Sequence, residues 1–382
     1  METKQKNDTS SLILSLIPYR VFPAGTGGQK GIALFEQYLA KRADLVCVTV
    51  KSNDPSAAQG LKLLNILPDS PLRYINPLYF FTLKKQVRKY NARFLLLEHP
   101  YYGWLGILLK QFTGIRLIVR SHNIEAERWK SLGKWWWPVM RLYEKIVHRA
   151  ADYSFFIHDN DRQFAMQHYR VKQEKCITAT YGIEQSSLPA ETEKRSARDT
   201  LRSLHSISEE ETIFLFNGAL GYKPNTDAVR AIINDINPIL LRSGLKYKII
   251  ICGKGLPAAF NGLKAFADKN IVYAGFVEDI DLYFKGADVF INPVIDGGGI
   301  KTKLVEALGW NTRSVSTVNG AIGVSVEDAG SQLVLVKDRD WESFAEEMAR
   351  SAKGPVTDTP GRFYERFSWD GIIEKVLTFI YS

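Results

Sequence analysis

The chain has 382 residues, 45% of them hydrophobic, and a formal net charge of +9. That length exceeds one ordinary core and suits two α/β domains, and the charge asks for an anionic partner: a nucleotide, a phospholipid surface or nucleic acid. Cys47, Cys176 and Cys252 are far apart with no C-x-x-C pair, which argues against a disulfide framework or structural zinc and fits a reducing compartment.

The polar start, Met1–Ser11, and the short apolar stretch Leu12–Ile17 running into Pro18 do not make a signal peptide. No run approaches the roughly 18 apolar residues that cross a bilayer, so the expected location is cytoplasmic. Leu12–Ile17 reads as a first strand, followed by a Gly-rich loop, Gly25–Gly31, and a helical stretch, Ile32–Lys41. Leu45–Val50, Phe94–Leu97, Leu117–Val119 and Ser154–Ile157 read as further short strands between amphipathic helices. Residues 185–211 are rich in Ser, Glu, Lys and Arg and read as a hinge with a surface helix. The strand pattern restarts at Ile213–Phe216, then Tyr247–Cys252, Ile271–Tyr273, Val289–Ile291, Ser314–Ser316 and Leu333–Val336. Such alternation implies parallel sheets covered on both faces. The expected domains are 1–190, 191–365 and a terminal helix, 366–382, as a candidate to pack back on the first. A ligand is expected in the cleft between two such domains, at the carboxyl ends of the strands.

The most informative stretch begins at Asp288-Val-Phe-Ile-Asn-Pro293 and runs on to Glu306. A buried strand leads into Gly297, Gly298 and Gly299, which open a helix carrying Lys301, Lys303 and Glu306. Glycines let backbone amides approach a ligand, and a helix N-terminus favours negative charge, so the arrangement suits an anion. Without a ligand, the same residues describe a flexible turn with solvated lysines.

This segment resembles the signature of the retaining, GT-B-fold glycosyltransferases of the large family-four group, in the subgroup written G-G-G-T-R-x-K-x-x-E-A. Ile300 replaces the usual Thr and Lys301 the usual Arg. Other blocks resemble that group in order: Gly27 and Gly28 after the first strand, Arg120-Ser-His122-Asn123-Ile-Glu125, Gly218 through Tyr222, Pro224 and Asn225, then Gly275-Phe-Val and Ala287-Asp-Val. The resemblance implies two Rossmann-like, doubly wound domains facing each other across a cleft, and transfer of a sugar from a nucleotide donor to a glycan or lipid-linked glycan acceptor. It implies that Glu306 binds the donor ribose, with Gly297, Gly298, Gly299 and Gly218 around the nucleotide. Lys301 and Lys303 face the pyrophosphate and join His122 as the catalytic candidates. Gly27, Gly28, Asn123 and Glu125 line the acceptor side.

The chain departs from many relatives in lacking the first of two paired glutamates. Gly298 stands eight positions before Glu306, with Asp296 nearby. No D-x-D pair lies in the Gly297–Glu306 segment to hold a divalent cation beside a diphosphate, so no metal and no cofactor is expected, the counter-charge coming from lysines and amides. Two other readings stay open: a catalytically silent GT-B subunit that stabilises a partner transferase, and a GT-B nucleotide-sugar epimerase. Gly25-Thr-Gly-Gly-Gln-Lys-Gly31 is neither a P-loop nor a dinucleotide fingerprint.

From Arg116 to Arg149 there are eight Lys/Arg against three Asp/Glu, with Trp135, Trp136 and Trp137 among them. Tryptophans among cations suit a bilayer interface, so peripheral membrane contact through these three is expected. The competing reading puts them in a core. No nucleic-acid-binding motif appears.

Overall fold

The computed structural model describes residues 11–355 and 357–382. The polar start read from Met1 to Ser11 therefore lies outside them, except for Ser11. The chain divides into two compact units, one of residues 1–180 with 369–382 and one of residues 181–368.

The first unit holds a seven-stranded parallel sheet: β1 (Ile13–Leu16), β2 (Leu45–Val50), β3 (Leu63–Leu67), β4 (Phe94–Glu98), β5 (Arg116–Ser121), β6 (Tyr153–Phe156) and β7 (Cys176–Thr178). Their order is β3-β2-β1-β4-β5-β6-β7, so the chain reverses direction across the sheet between β1 and β4. Most of the strands are predominantly apolar because both faces are covered. On one face Leu95, Leu97, Leu117 and Val119 pack with Leu83, Leu105, Leu109 and Val147 from three helices. At the other, the terminal helix Trp369–Tyr381 lies along the helix Gly27–Ala40, with buried Trp369 meeting Phe35 edge-on at 6.4 Å.

The second unit holds six parallel strands: β8 (Thr212–Asn217), β9 (Tyr247–Cys252), β10 (Ile271–Gly275), β11 (Val289–Asn292), β12 (Arg313–Thr317) and β13 (Leu333–Val336). The order β10-β9-β8-β11-β12-β13 puts its reversal between β8 and β11. Such a point is where open α/β sheets bind ligands, outside the carboxyl ends of the strands. The two ends of this unit meet: Ile183 donates its amide to the carbonyl of Phe367 at 2.7 Å and bridges in parallel to Ser368.

Three expectations change. Gly27 and Gly28 are not in a loop but form the first turn of the helix Gly27–Ala40, because Thr26 caps it by accepting the amide of Gln29. The terminal helix is broken at Ser368 into Gly361–Phe367 and Trp369–Tyr381. Of the three tryptophans, Trp135 is 85% exposed, whereas Trp136 and Trp137 are half-buried. Trp136 packs on Trp129 at 4.6 Å, and Lys130 lies over Trp137 at 5.0 Å.

Candidate functional site

In the second unit the loops after β8 and β11 lie against each other. Gly297 (φ 89°) and Gly299 (φ 76°) adopt backbone that only glycine enters without strain. A side chain at Gly297 would come within 3.1 Å of the Tyr222 hydroxyl and 3.3 Å of Pro224. Asp296 accepts the Gly297 amide at 2.6 Å, which ties its carboxylate to its own loop. The helix Thr302–Gly309 then starts, without a side-chain cap, leaving its first amides for another acceptor.

Lys301 donates to the carbonyl oxygens of Gly297 and Gly299. Burial pushes its pKa down to about 8, with Asp296 pulling the other way. Lys303 bridges the loops: its ammonium donates to the Asn217 carbonyl and to Asn225 Oδ1, both at 3.0 Å, and sits 4.2 Å over the Phe216 ring. Burial, then the neighbouring Lys301 charge, lowers its pKa well below that of a free lysine. Glu306 lies one turn further along and accepts the Tyr181 hydroxyl at 2.8 Å. Gly218 is held by close approach. A side chain there would strike Asn225 at 2.7 Å, and one on Gly253 would reach the Gly218 carbonyl at 1.8 Å. The structure thus brings together Gly218, Gly297, Gly299, Lys301 and Lys303, with Glu306 on the helix that the loop opens. Two cations and a run of free amides at a strand-order reversal can hold a dianion.

In the first unit a buried polar cluster forms at the ends of β4 and β5. Glu98 ends β4 and accepts Arg120 Nη1 with both oxygens. His122, just past β5, is held to the same carboxylate. Burial alone would raise the Glu98 carboxyl, but Arg120 and His122 bring it down to about 2. Burial, then His99 and Arg120, takes His122 down to about 3. The carboxylate is therefore ionised and the imidazole neutral, so Nε2–H donates to Glu98 and Nδ1 is left as an acceptor.

Sequence reasoning missed His99. It follows Glu98 with φ 74°, a conformation that side chains seldom adopt and that tends to occur at functional positions. Its ring stacks on His122 at 4.3 Å and on Tyr101 at 5.0 Å, and its Nε2 is 2.8 Å from the Tyr19 hydroxyl. Its place beside the β1/β4 reversal was the available signal. Glu125 is fully buried, 3.6 Å from His99 Nδ1 and 3.2 Å from Arg128. Glu144 accepts the amides of Glu125 and Ala126 at 2.9 Å, capping the helix Glu125–Ser131 from outside it. Asn123 is half-buried between His122 and that helix. Glu36, on the helix Gly27–Ala40, accepts the Ser15 hydroxyl; burial, then the charge of Glu98, pushes its pKa up to about 8.

Residues 25–185 match the family model described as Glycosyltransferase Family 4, and residues 211–353 match that described as Glycosyl transferases group 1. A glycosyltransferase from Rickettsia africae ESF-5 superposes with a TM-score of 0.71 at 14% identity, over 97% of this chain and 98% of that one. Anabaena HepE in complex with UDP gives 0.72 at 12% identity, over 97% and 99%. The lipopolysaccharide outer core galactosyltransferase WaaB gives 0.66 at 11%, over 97% and 99%. An uncharacterized 44.6 kDa protein in the cps region of Klebsiella pneumoniae is 27% identical over 134 residues, 32% of this chain and 33% of that protein. The chain thus matches about a third of that relative's length. The structural likenesses establish the fold, and two glycosyltransferase models in succession account for most of the sequence. The chain is a glycosyltransferase of the GT-B type.

Proposed function

We propose that the chain moves a sugar from a nucleoside diphosphate donor to a glycan or lipid-linked glycan, with retention at the anomeric carbon, in cell-surface polysaccharide or glycoconjugate synthesis. HepE, which was crystallised with UDP, and WaaB, a lipopolysaccharide galactosyltransferase, support the donor class and the pathway by analogy of fold. The observation that carries the reading is Lys301: a cation whose pKa is depressed by burial, bonded to backbone carbonyls, beside an uncapped helix start. A diphosphate supplies the missing anion. In this reading Glu306 accepts the ribose hydroxyls, Lys301 and Lys303 offset charge growing on the leaving diphosphate, and His122 Nδ1 accepts a hydroxyl of the reacting sugar. Gly298, Asn123 and Glu125 contribute backbone and shape rather than charge transfer. The lysines and amides supply the counter-charge, so transfer needs no divalent cation, and the enzyme works on the cytoplasmic side of the membrane.

Calorimetric titration with UDP, GDP and other nucleoside diphosphates tests this. One of them should bind, and Glu306→Gln should weaken it by roughly ten- to a hundredfold, the worth of one charge-assisted hydrogen bond. Binding by the variant equal to the parent would place the nucleotide elsewhere. Turnover abolished by EDTA and restored by Mg²⁺ would remove the metal-free part alone.

A further inference from the structure

Exposed large apolar side chains are unevenly spread over this molecule. Ten of the nineteen among the described residues fall between Leu72 and Ile146. They lie on three helices, Tyr79–Lys89, Gly103–Thr113 and Trp137–Ala150, and in the segments leading into the first and third, Leu132 among them. These helices connect β3 to β4, β4 to β5 and β5 to β6. Right-handed crossovers put all three on one face of the sheet, and Leu83, Leu105, Leu109 and Val147 bury their inner sides in one core. The middle helix packs against both of the others.

Leu72, Ile75, Leu78 and Phe81 lead into and open the first helix, and Phe112 of the middle helix joins Phe81 through Phe80, whose ring meets theirs at 5.4 and 5.3 Å; all but Phe80 are at least 60% exposed. A second group is a stripe on the third helix, Val139, Leu142 and Ile146, preceded by Trp135. The spacing 139, 142, 146 is a helix face turned to solvent, the reverse of what a globular helix does.

The solvent-facing charges on these three helices have one sign. The first helix carries Lys84, Lys85, Arg88 and Lys89 and no acid, and the third carries Arg141, Lys145 and Arg149. The one acid of the three helices, Glu144, is buried and bonded to the amides of Glu125 and Ala126. Lys84 lies over both Phe80 and Phe112, at 5.4 and 5.6 Å, a long cation laid along an aromatic surface. Protein–protein interfaces are depleted of lysine. Helices that lie in a lipid headgroup layer combine it with Phe, Leu and Trp.

We propose that this three-helix face docks the first unit on an anionic phospholipid surface, with Phe81, Phe112 and the 139/142/146 stripe entering the headgroup layer and the lysines and arginines holding lipid phosphates. This goes beyond the sugar-transfer reading and is independent of it. It replaces the contact expected from three tryptophans: Trp135 alone projects, at one edge of a much wider face.

The test uses the full chain and vesicles of phosphatidylcholine, alone or equimolar with phosphatidylglycerol, read by co-sedimentation. The parent should bind the mixed vesicles, not the neutral ones, and less so at higher ionic strength. Phe81→Ser with Phe112→Ser should weaken that binding roughly tenfold or more. The triple variant Lys84→Glu, Lys85→Glu, Arg88→Glu should abolish it. Leu241→Ser, also exposed but in the second unit, should change nothing. Phe81, Phe112, Lys85 and Arg88 are exposed and Lys84 is half-buried, so melting temperatures should stay near the parent's, and the charge variant decides the matter if the Phe variant does not fold. Nucleoside diphosphate binding should be unaltered throughout, which separates this idea from the donor site. A parent that ignores mixed vesicles, or variants that bind like the parent, overturns the proposal. So does light scattering that shows a dimer converted to monomer by the Phe variant, since a second copy would then cover the face.

Discussion

Glu98 Oε2 lies 2.6 Å from His122 Nε2, while both oxygens of the same carboxylate meet Arg120 Nη1 at about 3 Å. One buried anion thus sets both the tautomer and the orientation of the histidine. Glu98→Gln keeps the shape but offers an amide that can turn either its oxygen or its nitrogen to the ring. On the proposal that His122 serves the reacting sugar, kcat should fall roughly a hundredfold, the scale of a misplaced catalytic group, with nucleotide affinity unchanged. Arg120 stays buried without its counter-charge, so stability should drop by about 3–5 kcal/mol. A kcat unchanged in the folded variant would make the pair purely structural.

Lys301 gives a pH dependence with a defined sign. Its pKa of about 8 in the free protein means that the ammonium is charged at neutral pH and discharges above that value. Diphosphate affinity should be flat below about pH 8 and decline above it. Lys301→Arg, charged throughout, should flatten the decline. Calorimetric titration of the tightest-binding nucleotide across pH 6.5–9.5, a window of roughly 1.5 units either side of that pKa, reads both curves.

Glu36 gives a second loss with rising pH, this one in stability. Its folded pKa of about 8 exceeds the unfolded value of about 4.3. The fold therefore prefers the protonated carboxyl. That preference is fully present below the unfolded value and is lost as pH rises toward 8. Urea melts should show stability falling between about pH 5 and 8 by more in the parent than in Glu36→Gln, which carries an uncharged side chain throughout. Parallel curves for the two proteins would exclude this carboxyl as the source.

Gly253 is the tightest backbone approach in the second unit. Its φ is 143°, and a Cβ there would lie 1.8 Å from the Gly218 carbonyl. Gly253→Ala must push the β9 and β8 loops apart. We expect a loss of stability of about 3 kcal/mol or more and weaker nucleotide binding, because Gly218 and Asn217 lead into the loop that Lys303 holds. Denaturant melts and the same titration check it; near-parent values in both would show that the loop relaxes freely.

Most strands were legible because parallel strands buried on both faces read as apolar runs, as in Phe94–Leu97 and Tyr247–Cys252. The two that were not legible show the limits of that signal. β3, Leu63–Leu67, is an edge strand, mostly half-buried, whose run is broken by Asn65. β7 has three residues, Cys176–Thr178, at the opposite edge. The start of the helix at Gly27 was concealed by its glycines, although Thr26 and Gln29 have the spacing of a capping pair. The turn made by the loop glycines and the helix start beside Lys301 were readable from the sequence. The bridge from Lys303 to Asn225 was not, since it joins residues 78 apart in the chain. His99 escaped because a single histidine after a strand carries no pattern; its backbone conformation and its neighbours appear only in three dimensions.

The hydrogen bond between Ile183 and Phe367 has a consequence for ancestry. It brings the two ends of the second unit together, and the chain then continues into Trp369–Tyr381, which belongs to the first. A module whose entry and exit lie side by side behaves as an insertion, and such segments are tolerated in new hosts because their ends need not be spread apart. The half that carries the Gly297–Glu306 loop is therefore a cassette that recombination can exchange in one piece, leaving the other half's buried histidines and exposed helices intact.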